Sequence, residues 1–229
     1  MRGAQSYEVG MKLDSMDISA TASASTIVFN ALRKAIIEGQ LEEGEALRQD
    51  EIARLFNTSR IPVREAISRL QEQGLVKTQR YKGAIVAGLS PEETEEIFDL
   101  RSLIEPEIIR TAVPKMSTAL LKAAREKCGA FSACKDPNEW GDLNRDFHDT
   151  LYSASDLKFF IEIADNAIDR VERQIRAQLI LSNGMERAGR EHFGILEACE
   201  NGDADQASQL IKDHILGAKQ SLLQHLPES

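Results

Sequence analysis

The chain has 229 residues, 42% hydrophobic and 28% charged, the composition of a soluble globular protein with room for one large domain or two small ones. Six prolines and fourteen glycines are too few for a disordered or many-turned all-β chain. No 18-residue apolar run exists to cross a membrane, and residues 1–21 lack the apolar stretch of a signal peptide, which points to the cytoplasm. The net charge of −9 argues against a uniformly basic nucleic-acid binder, but it is unevenly placed: residues 22–89 carry +2 and residues 90–229 carry −10. Such a split predicts two parts with different work. Cys128, Cys134 and Cys199 form no C-x-x-C pair and suit a reducing cytosol, as small core residues or inert thiols.

Residues 1–22 read as a flexible tail. From Ser23 to Gly39, Ile27, Val28, Ala31, Leu32, Ala35 and Ile36 recur at helical spacing, with Gly39 as the stop. Leu41–Glu45 reads as a turn, and Asp50–Phe56 as a short second helix with acid in its first turn. Ser59 to Leu70 predicts a third helix. Ser59 suits the N-cap, Pro62 falls in the first turn where its missing N–H costs little, and Val63, Ile67 and Leu70 share an apolar face. Arg60 and Arg64, four apart, then lie together at the front of that helix. Such a pair can read guanine edges and grip phosphates, as in the recognition helix of a helix-turn-helix. Alternatively it is a solvated pair on a plain amphipathic helix. Two β-prone runs follow, Leu75–Gln79 and Ala84–Ala87, around a tip of Arg80, Tyr81, Lys82 and Gly83. That pattern predicts a hairpin whose cations reach phosphates or the minor groove. Three helices and a hairpin predict a winged helix-turn-helix over 23–89, and this order favours DNA binding.

Ser90-Pro91-Glu92-Glu93 marks a boundary, with Ser90 as N-cap and Pro91 at the first helical position. Nothing β-like follows. Helices are predicted at 91–113, 117–132, 137–154, 157–182, 186–201 and 204–226, an all-α six-helix bundle over 90–229, so that the whole chain is mainly α. Within it, His148 shares a face with Asn144, Phe147 and Leu151. His192 shares one with Leu196 and Cys199, and His214 with Ile211, Ile215 and Ala218. Three imidazoles on core-facing stripes each need a partner when buried. Gathered at one centre they can bind a divalent metal, with Asn144 adding an oxygen; Zn, Ni, Mn and Fe all tolerate imidazole-rich ligation. The alternative is a set of satisfied core histidines. His225, near Pro227, reads as a surface residue. Arg101 and Glu105, four apart, fit either a weak intrahelical ion pair or a guanidinium that clamps a carboxylate.

The N-terminal part resembles the GntR family of bacterial transcription regulators. The residues that carry this are Leu47–Ala53, the highly specific run from Thr58 through Ser59-Arg60-Ile61-Pro62-Val63-Arg64-Glu65-Ala66, Leu70, Gly74-Leu75-Val76 and Lys82-Gly83-Ala84. The remainder looks like the FadR-type effector domain called FCD, through Arg101, Glu105, Asn144, Phe147-His148, Glu191-His192, Asn201-Gly202-Asp203 and His214. The resemblance covers about 24–225. It implies a homodimer that binds a palindromic double-stranded DNA operator and is retuned by a small organic acid, sometimes seated on a metal. Carried over, Arg60 and Arg64 contact DNA, Ser59 caps their helix, Lys82 and Gly83 approach from the wing, Arg101 holds the acid, and His148, His192 and His214 fall on the metal histidines. Three positions depart from the pattern. Asn144 stands where many members have an aspartate, and an amide is the weaker ligand. Asp50 stands where the fatty-acid-responsive member has a DNA-contacting arginine, so that either Arg48 or Arg54 compensates or the operator differs. Ile61 replaces a residue that is often polar, and it is expected to pack on a thymine methyl. Two rival readings are a metal-dependent enzyme with Glu191 as base, and a regulator whose histidine-lined pocket holds no metal.

Overall fold

The computed structural model describes residues 23–137, 139–181 and 184–224. The expected tail over 1–22 and the expected surface position of His225 lie outside the described residues. Ser23 opens the first helix, its hydroxyl accepting the Thr26 N–H at 3.2 Å. Helix α1 (Ala24–Ile37) buries Val28, Phe29, Leu32 and Ile36, and Gly39 beyond it takes a left-handed conformation (φ 73°) that costs glycine little. Helices α2 (Gln49–Leu55) and α3 (Arg60–Glu72) are joined through Asn57 at φ 48°, a region asparagine tolerates. The buried face of α3, Val63, Ala66, Ile67 and Leu70, closes on α1. Strands β1 (Val76–Gln79) and β2 (Gly83–Val86) pair antiparallel, with Gln79 opposite Gly83 and Val76 opposite Val86. Just past the predicted turn, the chain also lies against β2: the Leu47 N–H donates to Ala84 O at 2.8 Å and the Val86 N–H to Glu45 O at 2.9 Å. That bridge is too short to show an alternating pattern in sequence.

Ser90 and Glu93 form a reciprocal capping box at the start of α4 (Pro91–Ala112). A short 3₁₀ turn at Val113–Lys115 follows, then α5 (Thr118–Ala133), α6 (Trp140–Tyr152), α7 (Lys158–Leu181), α8 (Gly184–Glu200) and α9 (Ala204–Leu223). Helix α6 starts at Trp140 rather than Pro137, because the residues before it turn first, the Glu139 N–H donating to Asp136 O at 3.1 Å. The indole N–H of Trp140, the chain's single tryptophan, donates to Cys134 O at 3.2 Å. In the bundle α4 lies along α9, while α5 packs on α6 and α8. Phe98, Ile109, Phe131, Phe147, Val171, Leu196 and Ile211 fill a core separate from that of the first three helices and hairpin. Cys128 and Cys199 are buried there, and burial pushes their thiols up to about 11 and about 12, as befits inert core residues; Cys134 is half-buried.

The two cores meet at α7. The carboxylate of Asp169, 4% exposed, accepts the Arg33 Nε–H of α1 at 2.5 Å and pairs with Arg145 of α6 at 2.7 Å. Arg145 also reaches the buried Glu172 at 3.3 Å. Beside them, the Gln73 amide donates to Asn166 Oδ1 at 3.1 Å. One buried carboxylate thus holds guanidiniums from both parts of the chain.

Candidate functional site

The turn from Asn57 through Ser59 aims the N-terminus of α3 at solvent, and the residues of the third-helix motif form an exposed face. Arg60 and Arg64 are both exposed and Ile61 is 59% exposed. Ser59 has the extended backbone of an N-cap (φ −82°, ψ 169°), but its hydroxyl makes no capping hydrogen bond, contrary to the sequence expectation. The residue three on is Pro62, which has no N–H to offer, whereas the hydroxyls of Ser23, Ser90 and Ser117 each accept from the residue three on. Arg60 pairs with Asp50 of α2 through side chains 70% and 56% exposed, and Arg48 pairs with Glu51 at 3.6 Å. Exposed pairs of this kind are worth about 0–1 kcal/mol and exchange readily. Arg80, Lys82 and Gly83 stand exposed at the hairpin tip.

The three histidines converge from α6, α8 and α9. One ring nitrogen from each lies within 4.8 Å of the others. Ring centroids are 5.0 Å apart for His148–His192 and His192–His214, and 5.2 Å for His148–His214. All three are buried, and Phe131 and Phe147 pack on His192 at 4.7 and 4.5 Å. Both ring nitrogens of His148 and of His192 lack a hydrogen-bond partner. Burial first, and then the neighbouring His214, pushes both imidazoles well below the usual histidine range, so they are neutral and carry lone pairs. His214 differs: its Nδ1 lies 2.6 Å from Glu191 Oε2. A carboxylate there fixes the Nδ1–H tautomer and leaves the lone pair on Nε2. Orphaned, neutral, converging imidazoles are costly as a mere core and fit a divalent cation of borderline softness.

Asn144 and Arg101 line a cavity of about 20 Å³ beside His214, together with Arg187 and Ile215. The Arg101 Nε–H donates to Glu105 Oε1 at 2.6 Å, and the Tyr152 hydroxyl donates to Glu105 Oε2 at 2.8 Å. Arg101 and Glu105 have side chains only 6% and 0% exposed, so this is a buried pair and not the weak surface pair that spacing also allowed.

Residues 24–86 match the bacterial regulatory proteins of the gntR family, and residues 96–217, more than half of the chain, match the FCD domain. The chain belongs to the GntR family. The gluconate operon transcriptional repressor of Bacillus subtilis is 31% identical over 163 residues, covering 67% of each chain. A solved GntR family member from Pseudomonas syringae pv. tomato is 31% identical with a TM-score of 0.52, covering 88% of this chain and 85% of that one. Escherichia coli McbR/YncC shares the fold, at 19% identity and a TM-score of 0.79 over 89% of this chain and 99% of that one. This GntR-family chain is therefore a DNA-binding transcriptional regulator with an FCD domain and not an enzyme. Among its described residues no helix is long and apolar enough to cross a membrane.

Within this GntR-family fold, sequence reasoning missed what Glu191 does. The sequence offered it only as the base of a metal-dependent enzyme. Its carboxylate instead spans to α9, taken up by His214 and by Arg187 at 3.5 Å. No periodicity within α8 could reveal this, because it depends on how α8 and α9 are rotated against each other. Arg170 and Arg176, further cations of α7, are tied to Glu93 at 3.6 Å and to Asp142 at 2.5 Å.

Proposed function

We propose that the chain is a cytoplasmic homodimeric regulator that binds a palindromic double-stranded DNA operator, with operator occupancy set by a small organic acid bound beside a divalent metal in residues 90–229. The DNA-binding part, residues 23–89, uses Arg60, Ile61 and Arg64 on base edges. Arg48, Ser59, Lys82 and Gly83 approach the backbone. The metal is held by His148, His192 and His214, with Asn144 completing the set. The observation that carries this is the four partnerless ring nitrogens of His148 and His192, buried at one centre. A metal bound there supplies a Lewis-acidic seat for a carboxylate. The name of the gluconate operon repressor, a relative, also points towards acids.

The chain's own residues do the rest. Arg101, already oriented by Glu105, offers a guanidinium to the acid, and Glu191 holds His214 in the tautomer that keeps Nε2 open. A cavity of about 20 Å³ admits roughly one water, far below the ~300–1,000 Å³ of small-molecule sites. An acid therefore selects an arrangement in which α6 and α9 stand further apart. Arg145 follows Asn144 on α6, so that shift alters its claim on Asp169 and with it the hold on Arg33 of α1. Asp169→Asn is expected to bring operator affinities with and without acid closer together, by about 5-fold or more, the lower end of ordinary allosteric coupling. Mobility-shift titrations with and without citrate or gluconate measure this, and an unchanged ratio removes Asp169 from the path.

The metal is tested on protein purified without chelators or nickel resin. Elemental analysis should find close to one equivalent. Adding Zn or Mn to stripped protein at about 100 times Kd should stabilise it by about 2.7 kcal/mol, a rise of roughly 5–10 °C in melting temperature. His192→Ala should abolish the rise. Metal well below one equivalent, with no thermal gain, favours the metal-free pocket.

A further inference from the structure

The hairpin tip holds a feature that the histidine centre and α3 do not explain. The Lys82 N–H donates to Gln79 O at 3.1 Å, closing a four-residue turn whose third position is Tyr81. Tyr81 has φ 68°, the left-handed region in which glycine is preferred at that turn position and a bulky side chain is strained. The fold gains no burial in return. The ring is 91% exposed, and the Arg80 guanidinium carbon lies 4.9 Å from its centroid. Strain kept at an exposed aromatic, between two exposed cations, belongs to a surface that is completed by something else.

We propose that Tyr81 is a DNA-contacting residue whose ring enters the minor groove flanking the bases read by α3, with Arg80 and Lys82 on the phosphates to either side. This rests on the reading of α3 and the hairpin as the DNA-binding face. A tip that served phosphates alone would need only its cations. An aromatic edge adds contact with the sugar walls of a groove ~6 Å wide and with the base edges at its floor. The hydrogen-bonded turn already holds the Tyr81 backbone at the exposed tip, so less is lost in ordering it at the moment of binding.

The test uses an operator selected from random duplexes by the full-length wild-type protein. Tyr81→Asn keeps a residue that tolerates positive φ and removes the ring; Tyr81→Gly also removes the strain; Tyr81→Phe keeps the ring. The asparagine and glycine variants should bind about 5- to 100-fold more weakly, as for a lost base-edge contact, while melting at or above the wild-type temperature. The phenylalanine variant should bind within about twofold of wild type, because the ring and not the hydroxyl makes the contact. In the flanks, inosine–cytosine pairs should substitute for adenine–thymine pairs in the wild type, since the two look alike from the minor groove. Wild-type affinity in Tyr81→Asn overturns the proposal. If Arg60→Ala with Arg64→Ala loses the operator while Tyr81→Asn keeps it, only the role of Tyr81 falls. If neither variant loses it, the reading of the whole face falls too.

Discussion

Replacing Arg60 and Arg64 together by alanine is expected to lower affinity for the specific operator by roughly two to four orders of magnitude, each guanidinium contributing about 1–3 kcal/mol. Both side chains are exposed at the start of α3, whose opposite face, Val63, Ala66, Ile67 and Leu70, is buried and untouched by the change. Alanine is the better helix former, so the melting temperature should hold. The loss should appear as a flat specificity profile, with the residual binding strongly dependent on salt. Asp50 bears on the size of the effect. It neutralises part of Arg60 in the free protein, so DNA must displace that pair, and the measured loss for Arg60 alone is smaller than for a guanidinium without a partner. A double variant that holds specific operator as tightly as wild type, in a mobility shift or by anisotropy, means that α3 does not read it.

Glu105→Ala is expected to destabilise the folded chain by about 3–5 kcal/mol. The carboxylate is fully buried, takes the Arg101 Nε–H at 2.6 Å and accepts the Tyr152 hydroxyl at 2.8 Å. Removing it leaves a buried guanidinium with no counter-charge and a phenol with no acceptor. In the wild type burial, followed by Glu105 itself, pushes that phenol well above the usual tyrosine range. A urea melt should show the midpoint fall. Glu105→Gln, which keeps an acceptor, should lose less. Replacing both partners, Arg101→Met with Glu105→Leu, should recover most of that loss, because the desolvation cost of the pair goes with it, leaving the cost of the Tyr152 hydroxyl without an acceptor, about 1–3 kcal/mol. The same double variant should no longer answer an acid, if Arg101 is the residue that receives one. Stability and response would then separate, and the ion pair's two roles could be weighed apart.

What sequence alone could show follows the range of each signal. Helix starts were legible because caps are local: Ser90 with Pro91 and the acid behind it predicted the start of α4, where the structure adds the reciprocal bond from Glu93. The inward faces of His148, His192 and His214 were legible because each shares its helical stripe with apolar residues. Ser59 shows that two local signals can conflict, for its backbone takes the cap position while Pro62, three residues on, offers its hydroxyl no N–H. Contacts between elements left no trace in spacing. Glu191 meets His214 only because α8 and α9 lie side by side, and Asp169 collects Arg33 across 136 positions of sequence. The burial of Arg101 and Glu105 is of the same kind: four residues apart on one helix is common, and only the packing of α4 on α9 and α6 removes such a pair from water. Tyr81 was visible as one letter of a hairpin tip. Its backbone conformation was not, because tyrosine gives no hint of a positive φ.

Trp140 sits in the first turn of α6, upstream of Asn144, Arg145 and His148, with its indole N–H on the Cys134 carbonyl. As the chain has no other tryptophan, its tryptophan fluorescence comes from a single known place, at the root of the helix that joins the histidine centre to the Asp169 contact. The regulator thus carries its own optical gauge. If a small acid binds beside the histidines as proposed, candidates can be ranked by the change in that signal, label-free and before any operator is in hand.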